Sequence, residues 1–272
     1  MPIIKTITPE GELIDQKLLW VDFTRRNDPS TTFWVRHLES QLQARGYPRV
    51  FCFWTKAPGT VAELYKDIVK DMQRHGTLVL AQVTYNGYTE LEPGVTAERS
   101  NLAPLVDLLG PSHIRLRFDP IIVGFTKPEH FERCLEAASR YKITRIITNF
   151  ILLSYKDVRD AMAEFGVDRE ATREEKADIL AWFVDSAVRQ GTEIGICAET
   201  IGEGLAKDVP GLKATGCADM NWAIALKPEL LNAFKKRPSR PGCQCCYTDD
   251  WGLYSSKGGQ KCPHLCLYCY AK

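Results

Sequence analysis

The chain has 272 residues, and its 35 Lys and Arg against 34 Asp and Glu leave a formal net charge of +1. That balance offers no bulk attraction for nucleic acid or for an anionic membrane surface. Hydrophobic residues at 44% and charged residues at 25% are ordinary for a soluble globular protein, and the length suits a single (β/α) barrel. No run approaches the roughly 18 apolar residues of a membrane span, and MPIIKTITPEGELIDQK lacks a signal peptide's apolar segment. A cytoplasmic protein is expected, and there ten cysteines point to metal or redox chemistry rather than to disulfides.

Through Lys17, the turn residues Pro9, Glu10 and Gly11 mark a loose lead-in. The apolar run 18–23 then reads as a buried strand feeding a polar loop, Thr24-Arg25-Arg26-Asn27-Asp28-Pro29. A helix follows, capped near Ser30, with Phe33, Val35, Leu38 and Leu42 on its apolar face, and it stops at Gly46. The pattern repeats with strand 49–54 and helix 61–75, strand 77–83 and helix 97–109, then strand 113–118 and helix 127–141. Strand 144–152 comes next, then two helices within 155–190 broken near Gly166, a sixth strand at 193–197 and a short helix at 228–234. This alternation builds βαβ units on a parallel sheet. Six strands predict an α/β fold, a partial or irregular (β/α) TIM-like barrel over residues 1–240. A cysteine-rich tail, 241–272, would lie over the barrel mouth.

Ligands of such folds sit at the carboxyl ends of the strands. Those ends carry Arg25, Arg26 and Asp28, then Trp54 and Lys56, Tyr85 with Glu90 and Glu92, Arg117 with Asp119, Asn149 with Ser154, Tyr155 and Lys156, and Cys197 with Glu199. Loops are polar in any protein, so no single one of these residues argues for function. As a set they fit a ligand-lined mouth, because Arg117 and Asp119 adjoin an apolar strand where an unpaired charge is costly.

Six of the ten cysteines fall between Cys243 and Cys269, and the core of that stretch is Cys262-Pro263-His264-Leu265-Cys266-Leu267-Tyr268-Cys269. A CxxxCxxC loop can place three thiolates on a [4Fe–4S] cluster and leave the fourth iron open to a small molecule. A zinc ribbon pairing Cys243 and Cys245 with Cys266 and Cys269 is the alternative, although CxCC is off-pattern for a zinc knuckle and Cys262 would be left over. With the basic run 235–240 before it, such a tail would make the chain a non-catalytic nucleic-acid- or partner-binding protein, and a cluster that only carries electrons is a further alternative. A disordered redox tail is a third, opposed by Tyr247, Trp251, Tyr254, Tyr268 and Tyr270. For Cys52, Cys134, Cys197 and Cys217 the default is a small buried side chain.

The CxxxCxxC with an aromatic residue before its last cysteine resembles the signature of the radical S-adenosylmethionine superfamily, and the string from Cys262 to Ala271 resembles spore photoproduct lyase and its relatives. In that superfamily the motif follows the first strand, whereas here it follows the last. Nearly end to end, the chain is similar to a bacterial family known as a domain of unknown function, whose radical-SAM-like cysteine motif lies at the C-terminus. The matching pieces are Thr24 to Asp28, Phe53 to Pro58, Thr84 to Pro93, Arg117 to Ile121, Cys197-Ala198-Glu199, Gly216 to Asp219 and Arg240 to Cys245. Residues 255–261 and Cys246 depart from the family pattern.

The resemblance implies a [4Fe–4S] cluster on Cys262, Cys266 and Cys269 whose open iron binds S-adenosyl-L-methionine. It also implies reductive cleavage to a 5′-deoxyadenosyl radical, an electron donor such as flavodoxin or ferredoxin, and a substrate inside the barrel. That substrate is a small molecule or another target, with nucleic acid left open. Arg25, Arg26, Lys56 and Arg117 become candidates for an anionic group of cofactor or substrate. Asp28, Asp119 and Glu92 would orient those arginines or bind ribose hydroxyls. Tyr85 and Tyr268 would pack on adenine or shield the cluster, and Glu199 completes the cofactor-binding set. The superfamily's glycine-glycine-acid motif is not seen after the second strand. The same family motifs single out Cys197, Cys217, Cys243 and Cys245 as four thiolates for a second, fully ligated cluster, with Cys246 as a substitute.

Overall fold

The computed structural model describes residues 5–7, 13–15, 18–25, 27–197, 204–234, 244–252 and 261–270. Where a loose lead-in was expected, β1 (Lys5–Ile7) and β2 (Leu13–Asp15) form a separate antiparallel pair. The main sheet is parallel and begins with β3 (Trp20–Phe23), β4 (Val50–Thr55), β5 (Leu78–Thr84) and β6 (Ile114–Ile121). It continues with β7 (Arg145–Phe150), β8 (Glu193–Cys197) and β9 (Lys213–Thr215). An eighth strand, β10 (Asp249–Asp250), comes from the tail and pairs in parallel with β3. Between the strands run α1 (Thr32–Arg45), α2 (Pro58–Arg74), α3 (Ala103–Leu109) and α4 (Pro128–Arg140). They are followed by α5 (Lys156–Ala163), α6 (Arg173–Val188), α7 (Leu205–Asp208) and α8 (Met220–Leu226).

The six expected strands are present, and β9 and β10 are additions too short to show periodicity. The helix expected over 97–109 starts only at Ala103, because Thr96 to Asn101 is taken up by turns, Ser100 N bonding Thr96 O at 3.0 Å. The helix expected at 228–234 is one 3-10 turn, Pro228–Leu230, and the true helix of that region is α8.

The sheet alternates between two cores. Val21, Phe23, Phe51, Phe53, Val79, Ala81 and Val83 point to the surrounding helices. Trp20, Val50, Cys52, Leu78 and Leu80 point the other way, into an inner cluster with Cys217, Ala218, Trp222, Cys245 and Cys246. The inner plug, α8, is capped by Asp219, whose carboxylate accepts from Arg115 near the start of β6 (2.9 Å) and Arg145 at the start of β7 (3.3 Å). Two guanidiniums thus compensate one buried carboxylate.

The sheet order is β10-β3-β4-β5-β6-β7-β8-β9, so β9 and β10 are its outer strands and the barrel is not closed. A backbone bond from Cys246 N to Ala218 O (3.0 Å) crosses the seam. On the other side of β10, Trp251 N bonds Asp22 O at 3.0 Å. No helix among the described residues is long and apolar enough to cross a membrane.

Candidate functional site

β3 hands the chain to its loop through Thr24, which has φ 63, a left-handed conformation that costs a β-branched residue energy and recurs at functional sites. The turn delivers Arg25 and Asp28. The Asp28 carboxylate accepts from Ser30 N (3.0 Å), Thr55 Oγ1 (3.2 Å) and Lys56 N (2.7 Å), and faces His264 Nε2 at 2.8 Å. Burial would raise its pKa, but His264 and these donors hold it below the ordinary carboxylate value.

One residue beyond β4, Lys56 Nζ donates to Glu92 Oε1 and to the Tyr268 hydroxyl, both at 2.7 Å. Burial works against the Lys56 charge, and Glu92 followed by Cys266 outweighs it, so its pKa is raised. Asn86, two residues beyond β5, donates to Glu92 Oε1 (3.0 Å), the Tyr268 hydroxyl (3.0 Å) and Asp119 O (2.9 Å), while accepting from Asp119 N (2.8 Å). Tyr268 itself donates to Glu92.

The CxxxCxxC loop is seated on these groups. Its main chain is tied down by Gly94 N to His264 O (3.0 Å) and Leu267 N to Leu91 O (2.9 Å). A Cβ on Gly94 would overlap Pro263 O and come within 2.6 Å of His264 Cα, so only glycine permits the approach. Leu265, in the middle of the loop, has φ 52 and an exposed side chain. Cys266 is buried and Cys262 and Cys269 half-buried. Burial pushes the Cys262 and Cys266 thiols up to about 12, so as free thiols they stay protonated, and a bound metal cation is what would make thiolates of them.

Deeper inside, Trp54 lies between two cations, Arg25 at 4.7 Å and Arg117 at 4.9 Å from its ring centre. Asp22 accepts from Trp20 Nε1 (3.1 Å), Trp54 Nε1 (2.9 Å) and Arg25 (3.3 Å). The Arg117 guanidinium bonds Asp119 and donates to Gln82 Oε1 (3.2 Å) and Cys217 Sγ (3.1 Å). Cys197 Sγ is 3.2 Å from Cys217 Sγ, and Cys245 also hydrogen-bonds Cys217. The bonds from Cys197 and Cys245, with Arg117 and Arg25 nearby, hold the Cys217 thiol well below its usual range. A Cβ on Gly216 would meet Cys245 N at 2.7 Å, so this stretch of the tail also docks on a glycine.

Asp28, Lys56, Glu92 and Tyr268 are therefore gathered around the cysteine loop, and Arg25, Arg117 and Asp119 around Cys197, Cys217 and Cys245. Tyr85 belongs to neither group. It is one residue past β5, half-buried, and packs against the main core that holds Cys134 of α4. The alternation that turns Tyr85 outward turns Asn86 in. Arg26, Glu199 and Cys243 lie outside the described residues. Cys52 and Cys134 are buried, as expected of small core side chains, and Cys246 joins the inner core. Gln82 and Asn86 are functional candidates that sequence reasoning missed; Gln82 was visible as a polar residue at an inward position of an apolar strand.

Among the described residues, no group of three or more His, Cys, Asp or Glu side chains is set to hold a metal ion as it stands. The tail thiols nonetheless fit a soft metal by chemistry: three sulfur donors in one pinned loop, with Lys56 beside Cys266. A groove of about 860 Å³ on the outer wall, between α2 and α3, includes none of the mouth residues.

A family model described as "Domain of unknown function (DUF1848)" matches residues 32–271. No curated protein sequence matches. Among solved structures, a crystal structure of D-psicose 3-epimerase in the presence of D-fructose is similar at 12% identity and TM-score 0.33, covering 72% of this chain. The chain spans 62% of the length of that epimerase. A crystal structure of the citrate synthase SbnG is similar at 11% identity and TM-score 0.26, covering 80% of this chain and 93% of that one.

Proposed function

The chain belongs to the DUF1848 family of unknown function, and from that premise we propose that it is a radical S-adenosylmethionine-type iron–sulfur enzyme, with Cys262, Cys266 and Cys269 as the ligands of an open [4Fe–4S] cluster. The observation that carries the reading is the seating of the CxxxCxxC loop. Its two polar spacer residues, His264 and Tyr268, are bonded to Asp28 and to Lys56 and Glu92 at the carboxyl ends of the strands.

A cluster held there would supply one-electron reductive cleavage of S-adenosylmethionine. The protein's own work is to position and to exclude. Asp28 and His264 fix the loop, and His264, at 1% exposure, helps keep water from behind the thiols. Lys56 places a positive charge beside Cys266, which favours its thiolate. Arg25 and Arg117 flank Trp54 on the inner wall, where a carboxylate or phosphate of a substrate can compete with Asp22 and Asp119 for a guanidinium. The substrate class that suits this wall is an anion-bearing small molecule with a flat or apolar body. A small one-electron carrier such as flavodoxin or ferredoxin would serve as donor.

Anaerobically purified protein should be brown and contain iron with matching acid-labile sulfide. With dithionite and S-adenosylmethionine it should release 5′-deoxyadenosine, and Cys266→Ala should not. Zinc in place of iron would refute the proposal. Iron without any 5′-deoxyadenosine would make the protein an electron carrier instead.

A further inference from the structure

A second set of sulfur atoms meets inside the barrel wall. Cys197 is the last residue of β8, Cys217 lies two residues past β9, and Cys245 lies in the tail ahead of β10. Three stretches far apart in sequence thus bring three thiols together, with Cys197 Sγ 3.2 Å from Cys217 Sγ and Cys245 on the same sulfur. None of the three is in a disulfide. Packing alone describes Cys134, which sits among Phe131, Leu135 and the other apolar residues of the main core. It does not describe Cys217, because an Arg117 N–H points at that sulfur from 3.1 Å. A charged donor on sulfur is a partner for a thiolate, and hydrogen bonds to ligand sulfurs are one means by which proteins tune metal centres.

The backbone holds the third thiol in place without slack. A Cβ on Gly216 would lie 2.7 Å from both Cys245 N and Gln244 C. The next residue, Cys246, bonds Ala218 O at 3.0 Å. This is also the seam of the open barrel, where β9 and β10 fail to pair.

We propose that Cys197, Cys217 and Cys245 form a second thiolate centre for a soft metal, separate from the CxxxCxxC loop, which staples the seam between β9 and the tail. The inference stands on these three thiols and does not require the tail loop to bind a cluster. Thiolates on one zinc ion sit about 3.8 Å apart, given Zn–S bonds of about 2.3 Å in a tetrahedron. The observed 3.2 Å is a small step from that spacing. Thiolates on different irons of a cluster sit farther apart, so an iron–sulfur centre would need Cys197 and Cys217 to separate. Because metal affinity becomes folding free energy when a site bridges distant segments, the centre should stabilise the whole chain.

The test compares iron, zinc and acid-labile sulfide per chain in wild type, in Cys262→Ala/Cys266→Ala/Cys269→Ala, and in Cys217→Ser/Cys245→Ser, all purified anaerobically from medium containing iron and zinc. The tail variant should keep a metal, and the inner variant should lose that metal and unfold at lower temperature. Retained zinc without sulfide identifies a single ion, and retained iron with sulfide identifies a cluster. A tail variant without any metal overturns the proposal, and it does so even if the inner variant fails to fold. The tail reading fails on a different result, namely equal metal content in wild type and tail variant.

Discussion

The two thiol groups differ in how they come together. Cys262, Cys266 and Cys269 lie within eight residues, so spacing alone gathers them, and the barrel supplies the anchors: Asp28 for His264, Lys56 and Glu92 for Tyr268. Cys197, Cys217 and Cys245 are gathered only by the fold, and their cation is Arg117 of the inner wall rather than a lysine of a loop. The first set is a cassette laid on the mouth. The second is a junction between wall and tail. Asp119 lies between them, since its charge acts on Lys56 and on both Arg117 and Cys197.

Truncation breaks this comparison most severely. Deleting from Gly242 onward removes the tail group and Cys245 of the inner group at once, together with β10 and the buried Trp251. It leaves the backbone edge of β3 bare, and an exposed edge invites aggregation. A chain ending at Gly252 keeps β10 and Cys245 and loses only the cassette. The longer deletion should be insoluble, and the shorter one folded by circular dichroism but without tail metal. A soluble, folded chain after the longer deletion would show that β10 is not part of the barrel's integrity.

Asp28→Asn is the next largest change, because it weakens the buried Asp28–His264 pair, whose carboxylate also accepts from Ser30 N, Thr55 and Lys56 N, and each buried group left without its partner costs about 1–3 kcal/mol. Hydrogen exchange should show the loop 261–270 released while the inner wall stays protected. The same pair gives an acid dependence. Asp28 has its pKa lowered from 3.8 in the folded chain, so its contribution is present above that value and is lost as pH falls through the lower folded one. Loop release below about pH 3.8 is expected in wild type, and the Asp28→Asn chain, already released, should show no such step.

Two single-atom additions separate the groups more gently. Gly94→Ala drives a methyl into Pro263 and His264, and Gly216→Ala drives one into Gln244 and Cys245. Overpacking of this kind costs about 1–3 kcal/mol. Metal analysis should find the tail site weakened by the first and the inner site by the second, each leaving the other unchanged. Equal losses from both substitutions would mean that the two groups act as one.

Much of this arrangement was legible in the sequence. Apolar runs located six strands of the sheet, turn residues delimited most helices, and the polar strand ends named Asp28, Lys56, Glu92, Arg117 and Asp119. The family match over 32–271 takes in Lys56, Glu92, Arg117 and Asp119 and leaves out Asp28. What stayed hidden is local to short or irregular chain. β10 is two residues of paired aspartate, with no apolar signature. α8 packs its Trp222 and Ala223 inward, but it is too short for a helical period to stand out. Tyr85 drew attention as an aromatic residue at a strand end, and Asn86 beside it carried no such signal. The direction each side chain takes depends on where β5 ends, and that end is set by pairing with β6, not by the residue itself.

The smallest expected effect lies far from both thiol groups. Thr172 caps α6, its hydroxyl accepting from Glu175 N at 3.2 Å while Glu175 Oε2 accepts from Thr172 N at 2.8 Å, a capping box that satisfies otherwise unpaired amides. Thr172→Ala should cost about 1 kcal/mol of stability, measured by urea unfolding. Because α6 packs on the outer face of the sheet through Leu180, Phe183 and Val184, the loss should appear as general destabilisation without any change in metal per chain. If so modest a weakening of the outer wall did lower the inner metal content, the seam would be held by the barrel's overall stability rather than by its three sulfurs, and the division between cassette and junction would have to be redrawn.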